Sequence, residues 1–277
     1  HVQLNTNGLR LTEDEEYVRT LAETGLSFVF LQFDGTDDAF YRALRGRDLL
    51  DVKLRAIDNC ARFNLGVVLV PTLVPGINTG EIGNLIRFAV SRTPAVRGVH
   101  FQPVSHFGRI PALPSDSRRF TLDELLAAIE EQAGDLVPKD SIIPSRCNHP
   151  LCGFHADYVV TNEGRLHPLH REGGQCCGKV VSADQNRSFI ATKWERPEPP
   201  KSASRNDGDG EKGCCAADLK SFDGFLLFAR RYSFTLTAMA FQDAGNLDLE
   251  RLRRCSLHVF DDGRFVPFCS YYLTAQG

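Results

Sequence analysis

The sequence predicts an α/β fold: a parallel sheet covered by helices, followed by a cysteine-rich second half. Three observations predict it. Short runs that are apolar without alternation recur in the first 105 residues, separated by stretches with helical periodicity. Polar residues gather where each of those runs ends. Eight of the nine cysteines lie after residue 146, the exception being Cys60.

The elements follow in order. Residues 1–5 read as a strand, with Thr6-Asn7-Gly8 as its turn. Thr12-Glu-Asp-Glu15 is a capping box, in which Thr and Glu would satisfy each other's backbone donors, so a helix is expected over 12–23, stopped by Gly25. The run 27–33, Ser-Phe-Val-Phe-Leu-Gln-Phe, is a buried strand ending at Asp34-Gly35. A helical pattern over 50–63 closes at Asn64 and Gly66, and its Cys60 is expected to be an inert core thiol. Residues 67–70 form the next strand, 81–90 a helix, and 96–101 a further strand followed by Gln102-Pro-Val-Ser105. This order predicts a parallel sheet, either doubly wound or closed as a barrel. Thr121-Leu-Asp-Glu124 is a second capping box and opens a covering helix over 121–132.

In parallel sheets the ligand site lies at the carboxyl ends of the strands. The candidate residues there are Asn5, Thr6 and Asn7, then Gln32 and Asp34, then Pro71 and Thr72, then Gln102 and Ser105. Gly76-Ile-Asn-Thr-Gly80 is either a loop that brings backbone close to a ligand or a plain turn. No Gly-x-Gly-x-x-Gly follows the first recognisable strand, and the sequence contains no Walker loop, His-Glu-x-x-His or nucleophile elbow.

The second half is less regular. Cys147 and Cys152 flank a proline and lie beside His149 and His155. Residues 156–160 and 165–169 read as a hairpin turning at Asn162-Glu-Gly164. In each adjacent pair, Cys176-Cys177 and Cys214-Cys215, side chains of an extended segment point opposite ways, so Cys176 and Cys214 are kept as one candidate ligand per pair, with bystander roles open. A proline-, serine- and glycine-rich segment near 197–210 reads as a mobile loop. Helices are expected over 222–239 and 248–254. A final hairpin around Asp261-Asp-Gly263 would bring Cys255 and Cys269 together. With Cys147 and Cys152 they would supply four thiolates, which suit an iron–sulfur cluster or zinc; disulfides and unrelated thiols are the other readings.

The bulk numbers bound the function. A chain of 277 residues, 42% hydrophobic, supports one sizeable core and a smaller attached domain, here placed at 1–140 and 141–277. A net charge of -3 gives no argument for a nucleic-acid partner. No apolar run approaches the roughly 20 residues needed to span a bilayer, and no signal-peptide pattern is seen, so no transmembrane segment and a cytoplasmic location are expected.

Taken together, Leu4-Asn-Thr-Asn-Gly8, Leu31-Gln-Phe-Asp-Gly35, Leu44-Arg-Gly46, Val70-Pro-Thr-Leu-Val-Pro-Gly-Ile-Asn78, Gly98-Val-His-Phe-Gln-Pro-Val-Ser105 with Phe107-Gly-Arg109, Cys147-Asn-His-Pro-Leu-Cys-Gly153 and Pro267-Phe-Cys-Ser-Tyr-Tyr272 resemble radical S-adenosylmethionine (SAM) enzymes. The nearest resemblance is to a methyltransferase-like and tetraether-lipid-synthase-like branch. It implies a partial (β/α) barrel entered at its third strand, with a C-terminal cysteine-rich α+β auxiliary cluster domain. Asn5, Thr6, Asn7, Gln32, Asp34, Asn78, Gln102 and Ser105 would face SAM. Cys147, Cys152, Cys255 and Cys269, with Cys176 and Cys214, would hold one or more [4Fe-4S] clusters. The implied activity is formation of a 5′-deoxyadenosyl radical, abstraction of hydrogen from an unactivated carbon, then one-carbon transfer or C–C bond formation. A reductant such as ferredoxin or flavodoxin would be the redox partner. The family's Cys-x-x-x-Cys-x-x-Cys is absent from the sequence, so it is expected upstream of His1, and this stretch alone is expected not to cleave SAM. A non-radical α/β enzyme with a structural zinc module, and a non-catalytic binding fragment, are the alternatives.

Overall fold

The structure, a computed structural model, describes residues 1–108, 114–145, 148–169, 183–197 and 222–274. The expected ligands Cys147, Cys176 and Cys214, their neighbours Cys177 and Cys215, and the segment 198–210 lie outside the described residues.

The first half alternates strands and helices. Strand β1 (Gln3–Thr6) leads into helices α1 (Leu9–Glu13) and α2 (Glu15–Glu23), then β2 (Phe28–Gln32), α3 (Asp38–Arg45) and α4 (Leu50–Arg62). Strands β3 (Gly66–Val70) and β4 (Thr72–Leu73) precede α5 (Ile82–Ser91), β5 (Val96–Pro103) and α6 (Leu122–Ala133). The second half contributes β6 (Ile143–Pro144), β7 (Gly153–Val160), β8 (Leu166–Pro168), α7 (Ala183–Trp194), α8 (Phe222–Arg231) and β9 (Ser233–Met239). A separate C-terminal α/β region follows: α9 (Leu249–Arg253), the hairpin β10 (His258–Asp261) and β11 (Arg264–Pro267), and α10 (Phe268–Thr274).

One sheet runs in the order β1-β2-β3-β5-β9-β7-β6, with β4 beside β5 and β8 beside β7. β1, β2, β3, β5 and β9 are mutually parallel, and β7 returns antiparallel to β9. The sheet is thus partial-barrel-like and continues across residue 140. Its two faces differ. Val29, Leu31, Val67, Leu69, Val99, Phe101 and Leu236 pack outward against α1, α2, α4, α5 and α6 in the main core. Helix α5 shows why: Ile82, Leu85, Ile86, Ala89 and Val90 fall on one stripe of the helix, and all are buried. The opposite face carries a second cluster, Phe28, Phe30, Val68 and Val70, covered by Ala191 and Trp194 of α7. This inner face is floored by a helix from the second half.

Two expected elements are corrected and one unexpected element is added. Thr12 does not open a helix: its hydroxyl donates to the carbonyls of Gly8 and Val52, and Asp14 caps α2 by accepting from Tyr17 N–H at 2.9 Å. The four-residue step from Gly8 places Thr12 inside α1, where a threonine bonds back to the preceding turn instead of capping. Helix α3 was not expected, although Asp37 at its start, accepting from Ala39 N–H at 2.7 Å, and Gly46 at φ 75° are ordinary start and stop signals. The stretch 222–239 is not one helix: it breaks at Tyr232, and Ser-Phe-Thr-Leu-Thr-Ala-Met becomes β9 in the centre of the sheet. Burial on both faces between β5 and β7 favours these alternating threonines and apolar residues in a strand. The capping box at Thr121, the hairpin at Asn162–Gly164 and the β10–β11 hairpin are observed as expected. Among the described residues, no helix is long and apolar enough to cross a membrane.

Candidate active-site edge of the sheet

The carboxyl ends of β1, β2, β3 and β5 form one edge, and the expected site residues lie along it. At β1, Thr6 Oγ1 accepts from Gly8 N–H at 3.1 Å and Asn7 Oδ1 from Leu9 N–H at 3.2 Å. Gly8 has φ 82°, and a Cβ there would sit 2.6 Å from Leu31 Cδ1, so this turn requires glycine. Beneath it the buried Lys53 donates to the Asn7 carbonyl at 2.6 Å. Burial pushes this ammonium down to about 8, against the pull of Asp34.

Asp34 is fully buried and both of its oxygens are engaged. Arg45 binds it in two prongs, Nε to Oδ2 at 2.9 Å and Nη2 to Oδ1 at 3.1 Å. Gln32 Nε2 donates to Oδ2 at 3.0 Å and Thr72 N–H to Oδ1 at 3.1 Å. Asn78, also fully buried, donates to the carbonyls of Asp34 and Thr72 and accepts from Val74 N–H at 2.8 Å. These two side chains brace the rim: they join the β2 end to the 71–78 loop, and Gly76 at φ 75° is a solvent-facing turn within it. The half-buried Gln32 and Gln102 and the exposed Asn5 and Asn7 present polar surface at the edge. Ser105 donates to the Phe241 carbonyl at 2.9 Å. Next to it the buried Asp243 holds Arg119 in a two-pronged pair at 2.9 and 3.0 Å and accepts from His106 N–H at 3.0 Å, which fixes the loop after β5.

The inner face holds polar groups that the sequence reading missed. His100, in the middle of β5, bonds through Nδ1 to Thr237 Oγ1 at 2.8 Å, and its ring lies 5.2 Å from that of Phe30. Burial pushes His100 down to about 4, so it is neutral at pH 7. Trp194 donates to Thr235 Oγ1 at 2.7 Å and packs edge-on against Phe28 and Phe30. Both threonines belong to β9. The one sequence signal was a histidine in the middle of a largely buried strand.

Three of the expected thiols, Cys152, Cys255 and Cys269, lie close enough in the C-terminal region for Cys152 and Cys255 to act electrostatically on Cys269. Cys269 is buried, and burial raises its thiol; the Gln242 N–H, 3.3 Å from its sulfur, opposes this, Cys255 and Cys152 raise it further, and Arg251 lowers it. Arg251 donates to Cys152 Sγ at 3.4 Å and to the Ala240 carbonyl at 2.7 Å. The Cys255 thiol donates to the Leu257 carbonyl at 3.0 Å. Soft thiol donors fit a cluster or zinc in chemistry, but among the described residues no three His, Cys, Asp or Glu side chains are grouped as a metal site. Cys60 is buried in α4 and its thiol is pushed up to about 12, as expected of an inert core residue.

Comparison with known proteins matches residues 1–89 to the radical SAM superfamily. The chain is 32% identical over 310 aligned positions to the 7,8-dihydro-6-hydroxymethylpterin dimethyltransferase of Methanocaldococcus jannaschii, an alignment that covers 98% of this chain and 60% of that protein. It is 27% identical over 114 residues to a GTP 3',8-cyclase of Campylobacter jejuni subsp. doylei, covering 41% of this chain and 35% of the relative. Against a probable GTP 3',8-cyclase of Pyrococcus abyssi the identity is 37% over 89 residues, 32% of this chain and 28% of the relative. The chain thus spans 60% of the length of the first of these relatives and about a third of the others.

Proposed function

We propose, from the membership of residues 1–89 in the radical SAM superfamily, that this chain is the greater part of a SAM-dependent methyltransferase acting on a dihydropterin-like heterocycle. The observation that carries this reading is the alignment to the pterin dimethyltransferase across 98% of the chain, against only the N-terminal portion for the cyclases. SAM, when bound beside a reduced [4Fe-4S] cluster, supplies a 5′-deoxyadenosyl radical able to take hydrogen from an unactivated carbon, after which a one-carbon unit is added.

The chain's own residues prepare for this. Asn5, Asn7, Gln32 and Gln102 offer donors and acceptors for the ribose, amino and carboxylate groups of SAM, with Thr6 and Ser105 shaping the turns on either side. Asp34 and Asn78 act one step back, by holding the β2 and β3 ends in register. This fixed rim would hold two reactants in near-contact, which is where most of the rate gain of such an enzyme arises. Cys147, Cys152, Cys255 and Cys269, with Cys176 and Cys214, are proposed ligands of an auxiliary cluster.

The sequence has no Cys-x-x-x-Cys-x-x-Cys of its own, so the test joins it to a segment that carries one. Anaerobic incubation with SAM, dithionite and 6-hydroxymethyl-7,8-dihydropterin should give a product heavier by one or two methylene units (14 mass units each). Unchanged pterin, with 5′-deoxyadenosine formed, would reject the substrate. A colourless protein with one zinc and no acid-labile sulfide would reject the auxiliary cluster.

A further inference from the structure

The inner face of the sheet holds a polar layer one step deeper than the rim. His100 precedes Gln102 by two residues on β5, so both share one face, and Asn5 shares it across the register Asn5, Phe30, Val68. Below lie the rings of Phe28, Phe30 and Trp194. His100 is 9% exposed. Its Nδ1 is held by Thr237, whereas Nε2 has no hydrogen-bond partner among the described residues. That nitrogen is also not fully enclosed: among the described residues, the enclosed side-chain nitrogen without a partner is His106 Nε2. The second ring nitrogen of His100 is therefore available on the face it shares with Gln102, beside the Phe30 ring.

We propose that His100 contacts the substrate: its Nε2 hydrogen-bonds to the polar edge of a planar nitrogen heterocycle that enters past the rim. This rests on the methyltransferase reading above. The geometry favours the substrate over SAM, because SAM finds its polar partners at the rim, while a group that reaches His100 must be flat and lie deeper. Thr237 is the positioning residue. Whichever way its hydroxyl bond with Nδ1 runs, it fixes the ring plane and the tautomer, and so decides whether Nε2 donates or accepts.

The test is calorimetric titration of the full-length protein, anaerobically, with 6-hydroxymethyl-7,8-dihydropterin and, separately, with S-adenosylhomocysteine. His100→Phe keeps the ring and its contact with Phe30 but removes the hydrogen bond. It should weaken pterin binding about tenfold or more and leave S-adenosylhomocysteine binding within about twofold. His100→Gln, which keeps a donor and an acceptor, should recover most of the loss. Thr237→Val should weaken pterin binding several-fold with Nε2 still present, and it carries the test if His100→Phe does not fold. Unchanged pterin affinity in folded His100→Phe, or a loss confined to S-adenosylhomocysteine, overturns the inference and leaves the methyltransferase reading standing. Absence of pterin binding by the unsubstituted protein overturns both.

Discussion

Arg97 joins the two halves of the chain, and its replacement tests that joint. The residue is 1% exposed, and among the described residues no carboxylate pairs with it. Its guanidinium instead donates to main-chain carbonyls at the ends of two helices: Lys193 at 3.0 and 2.8 Å from α7, and Arg230 at 2.8 Å with Arg231 from α8. Ser233 Oγ, at the start of β9, is a further partner. The arrangement is a buried cation at two helix C-termini, where the dipoles favour positive charge. Two effects oppose one another in Arg97→Met. Burial holds the arginine down to about 9, so removing the charge relieves a desolvation cost. Against this, three carbonyls and a hydroxyl lose their donor, at about 1 kcal/mol or more each. The four lost partners outnumber the single relieved charge, and a net loss of about 2–4 kcal/mol is expected. In urea this is a fall of about 1 M in the unfolding midpoint. The chain has one tryptophan, Trp194, on the helix that Arg97 anchors, so its emission should shift to the red in the variant before global unfolding. A midpoint within about 0.2 M of the parent, with Trp194 emission unchanged, would refute the clamp.

Asp34→Ala should cost about 3–5 kcal/mol, because it strands Arg45 and the Thr72 N–H at the rim; chemical denaturation checks it, and Asp34→Asn should cost less. Gly98→Ala should cost about 1–3 kcal/mol, since the new Cβ would lie 2.4 Å from both Thr235 O and Oγ1; a parent-like thermal midpoint would contradict the β5–β9 pairing. The neutral, buried His100 makes stability depend on pH. The unfolded chain takes up this proton from about 6.5 downward and the folded chain only near 4, so the unfolded state binds more protons in between and stability falls as pH drops through that window. The total is roughly 3 kcal/mol. It should vanish from the pH dependence of His100→Gln, measured by urea unfolding at pH 4 to 7.

Four strands of the first half, β1, β2, β3 and β5, were legible, the last three because their apolar runs are short, continuous and punctuated by Gly25, Gly66 and Pro71. β9 was not. It follows α8 after a single residue, Tyr232, with no glycine or proline between them, so one apolar stretch concealed a change of period from helix to strand. That error hid Thr235 and Thr237, and with them the reason for a histidine in β5. The rim was legible as a place but not as a division of labour. Asp34 and Gln32 look equivalent in sequence, and only the tertiary partners Arg45 and Thr72 show that the carboxylate is occupied within the protein. The terminal hairpin itself was legible from its Asp262-Gly263 turn, which sets the pairing of His258–Asp261 with Arg264–Pro267.

The most direct test of the account is production of 5′-deoxyadenosine. The chain, joined to a segment bearing Cys-x-x-x-Cys-x-x-Cys and reconstituted anaerobically with iron and sulfide, is incubated with SAM and dithionite. The account predicts reductant-dependent 5′-deoxyadenosine that rises when the dihydropterin is added and falls in a Gln32→Ala/Gln102→Ala double variant. A fully reconstituted protein that binds SAM yet forms no 5′-deoxyadenosine would contradict it.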